Sequence, residues 1–212
     1  MADTAAHSQT LYRSFAPALP ARRTVAILAG SLFIALCAHI SVPLFFTPVP
    51  MTLQPFAVLL VGLLFGPALG AATCAVYLAE GAAGLPVFTP QGAGGLLQLF
   101  GPTGGYLLSY PAAAALAGAI AQAFRHQVRR FEIRLLPLGA GALLGALAAN
   151  ALILLSGASW LSILTHQSAA TVARAAVLPF LPGDALKVVL AALLASAWYR
   201  TRVDATDSNP AA

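Results

Sequence analysis

Charge is the scarcest commodity in this chain. Only 8% of its 212 residues are Asp, Glu, Lys or Arg, against about 25% in a soluble globular domain. From Thr24 to Phe124 a single charged side chain occurs, Glu80. Water cannot disperse such a run, so the medium around it is lipid. Cysteine is almost missing too: Cys37 and Cys74 both lie in apolar stretches and read as small interior residues rather than a disulfide. Lysine occurs once, at Lys187, so the net charge of +5 rests on arginine. Those arginines cluster in short segments between apolar runs, the pattern of cytoplasmic loops rather than of a nucleic-acid surface.

Motifs for hydrolytic and metal chemistry are also wanting. No G-x-x-x-x-G-K-[ST] run occurs, because Lys187 is preceded by Ala185-Leu186 and followed by Val188, so the chain has no Walker A loop for ATP. G-x-S-x-G, H-E-x-x-H and Cys/His clusters are absent. Ser109, Ser156, Ser159 and Ser162 carry no context diagnostic of a nucleophile. An intramembrane hydrolase, or another membrane protein that binds a small molecule, is the alternative class to weigh. Residues 1–21 are polar, without the apolar core of a signal peptide.

What remains is six apolar runs: Thr24–Val42, Leu53–Phe65, Ala68–Glu80, Tyr106–Phe124, Leu135–Leu155 and Asp184–Trp198. The first, at about 1.5 Å per residue, is long enough to cross the hydrocarbon. Pro43, Pro48 and Pro50 forbid a helix after it, and Gly66-Pro67 divides the second run from the third. Arg22-Arg23 precede the first run, Arg125, Arg129, Arg130 and Arg134 separate the fourth from the fifth, and Arg200 and Arg202 follow the last. All three clusters share the cytoplasmic side if 53–80 either crosses twice, the favoured reading, or forms a re-entrant pair that does not cross. The expectation is an all-α integral membrane protein: a bundle of six transmembrane helices over 22–200, a flexible cytoplasmic N-terminal segment over 1–21, and a flexible cytoplasmic tail over 201–212.

This parity leaves 43–52, 81–105 and 156–183 outside. The segment Gly81–Gly105 holds eight glycines and three prolines, yet it is largely apolar. It reads either as a cap on the bundle or as backbone brought close to a ligand, where glycine exposes N–H and C=O groups. Ala158–Val177 has the makings of a short interfacial amphipathic helix. The sharpest local signal is Pro182-Gly183-Asp184-Ala185-Leu186-Lys187. Asp184 and Lys187 share a helical face at i, i+3. Charges in an apolar helix must face the interior and pair. One reading is a helix-capping aspartate neutralised by the lysine; the other is a pair that binds a polar ligand. Lesser candidates are Gln54, Gln91 and Gln98, and Tyr77, Tyr106 and Tyr110. Glu80 reads as a solvated helix end, His39 as a satisfied interior histidine, and Asn150 as a helix-joining hydrogen-bonder. Ala26/Gly30 and Ser31/Ala35 offer small-residue faces on the first helix.

Four ordered blocks, VPMTLQPFAVLLVGLLFGPALGA (49–71), YLAEGAAGLPVF (77–88), FGPTGGYLLSYPAAA (100–114) and LPFLPGDALKVVLA (178–191), closely resemble the BioY family, the biotin-specific substrate-binding components of energy-coupling-factor (ECF) vitamin transporters. The similarity spans about residues 24–199. It implies six transmembrane helices, both termini in the cytoplasm of a bacterial cell, an outward-facing ligand site, and uptake without catalysis or a cofactor. It assigns Asp184 and Lys187 to the biotin site. It makes the connection around Gln91, Gly94, Gly95, Gly104 and Tyr106 the external glycine-rich loop over the pocket. Relatives carry arginine or asparagine near Gln91. The resemblance also implies contact between the small-residue motif, nearest to Ala26/Gly30 here, and a transmembrane coupling protein that works with two ATPases. A self-oligomer acting alone is the other possibility it allows.

Overall fold

The structure is a computed structural model that describes residues 21–131 and 138–207. Residues 1–20, 132–137 and 208–212, and with them Arg134 and most of the expected terminal segments, lie outside the described residues. The chain forms eight helices among them: α1 (Ala21–His39), α2 (Gln54–Phe65), α3 (Pro67–Ala82), α4 (Gly95–Phe100), α5 (Gly104–Phe131), α6 (Leu138–Thr165), α7 (Ala169–Ala176) and α8 (Leu181–Asp207). A two-residue ribbon, β1 (Ser41–Val42) against β2 (Met51–Thr52), is antiparallel with Ser41 opposite Thr52. It closes the proline-rich segment 43–50 into a loop.

Four helices are long and apolar enough to cross a membrane: α1, α5 over 104–127, α6 over 139–165 and α8 over 181–201. Their faces are sorted for lipid. On α1 the large residues Val25, Leu28, Leu32 and Leu36 are exposed, while Gly30, Ser31, Ala35 and Ala38 are buried. On α8 Leu186, Val189, Leu190, Leu193 and Leu194 face out, and Val188, Ala191, Ala192 and Ala195 face in. Lipid tails are as apolar as leucine, so burying large side chains between helices gains little there, whereas small residues let backbones approach and gain dispersion contacts. The inside-out distribution follows from that.

Proline and glycine set the breaks. Pro67 opens α3, where a missing N–H costs nothing. Gly66 before it has φ +82°, a left-handed value that a side chain disfavours. The chain thus reverses between α2 and α3 within one residue. Gly94 and Gly95, at φ +69° and +58°, turn the glycine-rich segment into α4, a helix that its composition hides.

Several expectations need correction. α6 runs on to Thr165, past Leu155, because Ser156 to Trp160 contains no proline and its glycine, Gly157, packs against the Tyr106 ring. α8 continues through Asp207, past Thr201, where a flexible tail is expected; no glycine or proline lies between Asp184 and Asp207. Glu80 is not a solvated end: it is half-buried and accepts a hydrogen bond from the fully buried Ser31 hydroxyl of α1. His39 is exposed rather than interior, with Nδ1 against the Ala35 carbonyl at 2.9 Å. Gly30 is turned inward, where a Cβ would sit 2.7 Å from Thr73 Cγ2 and 2.9 Å from the Phe65 ring. At that position the small-residue face is filled by this chain's own α2 and α3, whereas Ala26 is only half-buried.

Candidate functional site

The start of α8 makes the polar centre. Its first turn begins at Leu181-Pro182, and the Asp184 amide donates to the Phe180 carbonyl over 2.8 Å. Asp184 therefore stands inside the first turn rather than capping it, which leaves its side chain free for other partners. Lys187, one turn on, donates from Nζ to Asp184 Oδ1 over 2.9 Å. Both are buried, at 4% and 7% exposure. A carboxylate and an ammonium this far from water persist only because each compensates the other. Asn150 of α6 approaches the second oxygen, Nδ2 to Oδ2, at 3.5 Å.

The pair borders a cavity of about 40 Å³ between α2, α5, α6 and α8 and under the loop 43–50. It is far smaller than the sites of about 300–1,000 Å³ that commonly hold small molecules. Its polar rim comprises Thr52, Gln54, Thr89, Gln98, Thr103 and Tyr106, and its apolar walls include Val49, Leu107, Ile153, Leu154 and Phe180. The rim is fixed in place by other bonds. Gln54 Nε2 donates to Tyr77 Oη over 2.6 Å, and that hydroxyl donates to the Val87 carbonyl over 3.0 Å. Tyr106 lays its ring against the cavity and donates through Oη to the Ala176 carbonyl over 2.9 Å, tying α5 to α7. Gln98 Oε1 accepts the Gly94 N–H over 3.0 Å, and Gln98 Nε2 reaches Thr103 Oγ1 at 3.4 Å. Among the described residues no group of three or more His, Cys, Asp or Glu is placed to hold a metal ion.

Of the residues singled out by sequence, Asp184, Lys187 and Tyr106, with the lesser candidates Gln54, Gln98 and Tyr110, line this cavity together. Gln91 does not. It is exposed, accepts from Ser41 Oγ at 2.7 Å and from Thr89 Oγ1 at 2.5 Å, and borders an adjoining cavity nearer the surface, shared with Gln98 and Thr103. Gly94 and Gly95 act through the backbone turn that presents Gln98. Gly104 is buried where a Cβ would collide with the Leu99 carbonyl and approach Trp160 Nε1 to 3.1 Å. The Trp160 indole donates to the Gly101 carbonyl over 2.9 Å, so Gly104 and Trp160 pin the glycine-rich segment to α6. Sequence reasoning gave Thr52, Thr89, Thr103 and Tyr110 too little weight as lining residues. Thr89 and Thr103 stand beside a proline or glycine, and Thr52 two residues after Pro50, which is the one signal the sequence offers for them. Ser109, weighed as a nucleophile, donates to the Tyr106 carbonyl over 2.7 Å.

With a buried acid–base pair set in an amphipathic cavity of a lipid-facing bundle, the comparison with known proteins becomes specific. The profile of the BioY family matches residues 7–204. The chain belongs to the BioY family. It is 37% identical to the probable biotin transporter BioY of Pyrococcus horikoshii, over 78% of this chain and 90% of that protein. It is 35% identical to the biotin transporter BioY of Rhodobacter capsulatus, over 79% and 87% of the two chains. Its fold matches a crystal structure of the S-component for biotin from an ECF-type ABC transporter with a TM-score of 0.71 and 26% identity, covering 86% of this chain and 95% of that one. BioY members are transporters rather than enzymes, and this one is a membrane protein.

Proposed function

We propose that this chain is a biotin-uptake S component, which captures biotin from outside and delivers it across a bacterial cytoplasmic membrane. The observation that carries the reading is the buried Asp184–Lys187 pair on the wall of an amphipathic cavity, in a chain of the BioY family. Biotin's ureido ring has two N–H donors and one carbonyl acceptor. Asp184 is a charge-assisted acceptor for an N–H, and the apolar walls suit the thiophane ring and the valeryl chain. Lys187 is the cation nearest to hand for the ligand carboxylate, unless it stays on Asp184 throughout. In this reading Tyr106 closes one wall, Gly94, Gly95 and Gly104 shape the cover, and Gln91 stands at the entrance.

We further read α1, α2, α3, α5, α6 and α8 as six crossings, with both termini cytoplasmic. Supporting this, α5 and α8 begin at the cavity, so Arg125 and Arg200 fall at their far ends; α1 leads into the 43–50 loop beside the cavity, so Arg22 and Arg23 fall at its far end as well. All four arginines thus lie opposite the cavity, and the positive-inside rule then turns the cavity outward. Short α2 and α3 span only in company, with their ends shielded by neighbours. The partners in this proposal are an ECF transmembrane coupling protein with two ATPases, or further copies of this chain.

Isothermal titration of the purified protein with biotin, against thiamine and riboflavin, tests the reading. Biotin alone is expected to bind, and Asp184→Ala is expected to weaken it at least tenfold, about 1.4 kcal/mol. A folded Asp184→Ala variant with unchanged affinity rules out the assignment.

A further inference from the structure

Asn150 lies just beneath the cavity. It sits on α6 one turn before Ile153 and Leu154, which line the wall, and it is 7% exposed. Its Nδ2 points to Asp184 Oδ2 at 3.5 Å. Its Oδ1 is buried and has no hydrogen-bond partner among the described residues. An amide oxygen shut away without a donor destabilises a fold. A leucine of similar size would fill the place without that cost, in a chain where leucine is the common solution. Packing alone therefore does not explain an asparagine here.

The geometry around Asp184 does. Lys187 holds Oδ1 from the same helix, at i+3, through a long flexible stem. That single restraint leaves the carboxylate free to rotate with the lysine. Asn150 approaches Oδ2 from a different helix, and the two restraints together fix the carboxylate plane. The lone pairs not used by Lys187 or Asn150 are then held in one direction.

We infer that Asn150 is a positioning residue for ligand recognition: it fixes Asp184 so that the carboxylate meets the N–H donors of a cyclic urea in the cavity. The inference rests on the biotin reading above. It makes Asn150 matter through Asp184, whereas a residue that merely joined helices would act on stability and independently of Asp184.

A double-mutant cycle separates the two. Biotin is titrated into the purified full-length chain, Asn150→Leu, Asp184→Asn and the double variant, with melting temperatures measured in the same detergent. Asn150→Leu is expected to melt no lower than the parent, because the unpartnered oxygen is gone, yet to bind biotin about fivefold or more weakly. Asp184→Asn is expected to cost about tenfold in the parent but under about threefold in the Asn150→Leu background. Ser196→Ala, an equally buried change on α8 away from the cavity, leaves affinity unchanged. If Asn150→Leu does not yield folded protein, Asn150→Ser enters the same cycle, with the same loss of coupling expected. Additive losses, or a folded Asn150 variant that binds like the parent, overturn the inference while the biotin reading stands. Failure of the parent to bind biotin sinks the biotin reading itself.

Discussion

At the end of the bundle that carries the cavity, helices meet through polar side chains: Gln54 with Tyr77, Asn150 with Asp184, Tyr106 with the Ala176 carbonyl. Further from the cavity close backbone approaches predominate, although Tyr199 of α8 also donates to the Leu63 carbonyl of α2 and Gly105 makes one such approach to Ser156 at the cavity end. A Cβ on Gly62 would strike the Ala114 carbonyl, one on Gly118 would lie 2.6 Å from the Gly62 carbonyl, and one on Gly145 would lie 2.6 Å from the Ala117 carbonyl. Ala113, Ala114, Ala117 and Ala121 bury one face of α5 against these glycines. Without a hydrophobic drive inside lipid, close approach of small residues is what gives the bundle its dispersion contacts. The difference between the ends is one of emphasis: close backbone packing dominates away from the cavity, and on the proposed reading the polar side chains at the other end serve the ligand.

The largest effect that tests this difference is expected from Gly62→Val. Its added methyls meet backbone atoms of α5, which cannot rotate away as a side chain can. The yield of monodisperse protein in detergent is expected to fall below about a tenth of the parent's. A Gly62→Val protein that purifies and melts like the parent would break the comparison, since it would show that the tight end is not what holds the fold. Asp184→Ala is the counterpart at the other end. It removes the proposed acceptor for the ligand, and its loss should be read in biotin affinity.

Sequence made one part of this legible and hid another. The six apolar runs and the break at Gly66-Pro67 follow from composition and proline chemistry, which act locally, and they foreshadow the middles of α1, α2, α3, α5, α6 and α8, although α6 and α8 run well past them. Asp184 and Lys187 stood out because charge is rare in this chain. The inward turn of Glu80 to Ser31 was not legible, nor was the inward packing of Gly30 on Thr73 and Phe65. Both depend on which helix lies beside α1, and helix-to-helix neighbourhood leaves no periodic trace in a sequence rich in alanine and leucine. Gln54 and Gln98 looked alike as polar residues near run ends. Only the Tyr77 hydroxyl and the Gly94 amide reveal how each is held on the rim.

Gly92→Ala is expected to act at the cavity end alone. A Cβ there would run into the Gln98 side-chain amide. Because a flexible side chain is displaced and not backbone, the fold should tolerate the change, with a melting temperature within about 2 °C of the parent. The displaced Gln98 would lose its bond from the Gly94 N–H, and biotin affinity is expected to fall about threefold to tenfold, the worth of one hydrogen bond. A large fall in melting temperature would mean that this cover is structural and the division between the two ends is blurred.

The smallest effect belongs to Gln91→Ala, and it sharpens where the site stops. Gln91 is exposed and reaches the cavity only through Thr89, which shares its Oε1 with Ser41. A side chain whose bonds are made near water contributes little net free energy, because water replaces them on truncation. Placed at the entrance, Gln91 should therefore influence how biotin arrives more than how tightly it is held. Equilibrium affinity is expected to change by no more than about twofold, while the association rate, followed by stopped-flow quenching of intrinsic tryptophan fluorescence, changes by more than the dissociation rate. Should Gln91→Ala instead cost as much as Asp184→Ala, with the dissociation rate raised, the bound ligand must extend into the outer cavity, and the boundary drawn at Gln98 and Thr103 lies too deep.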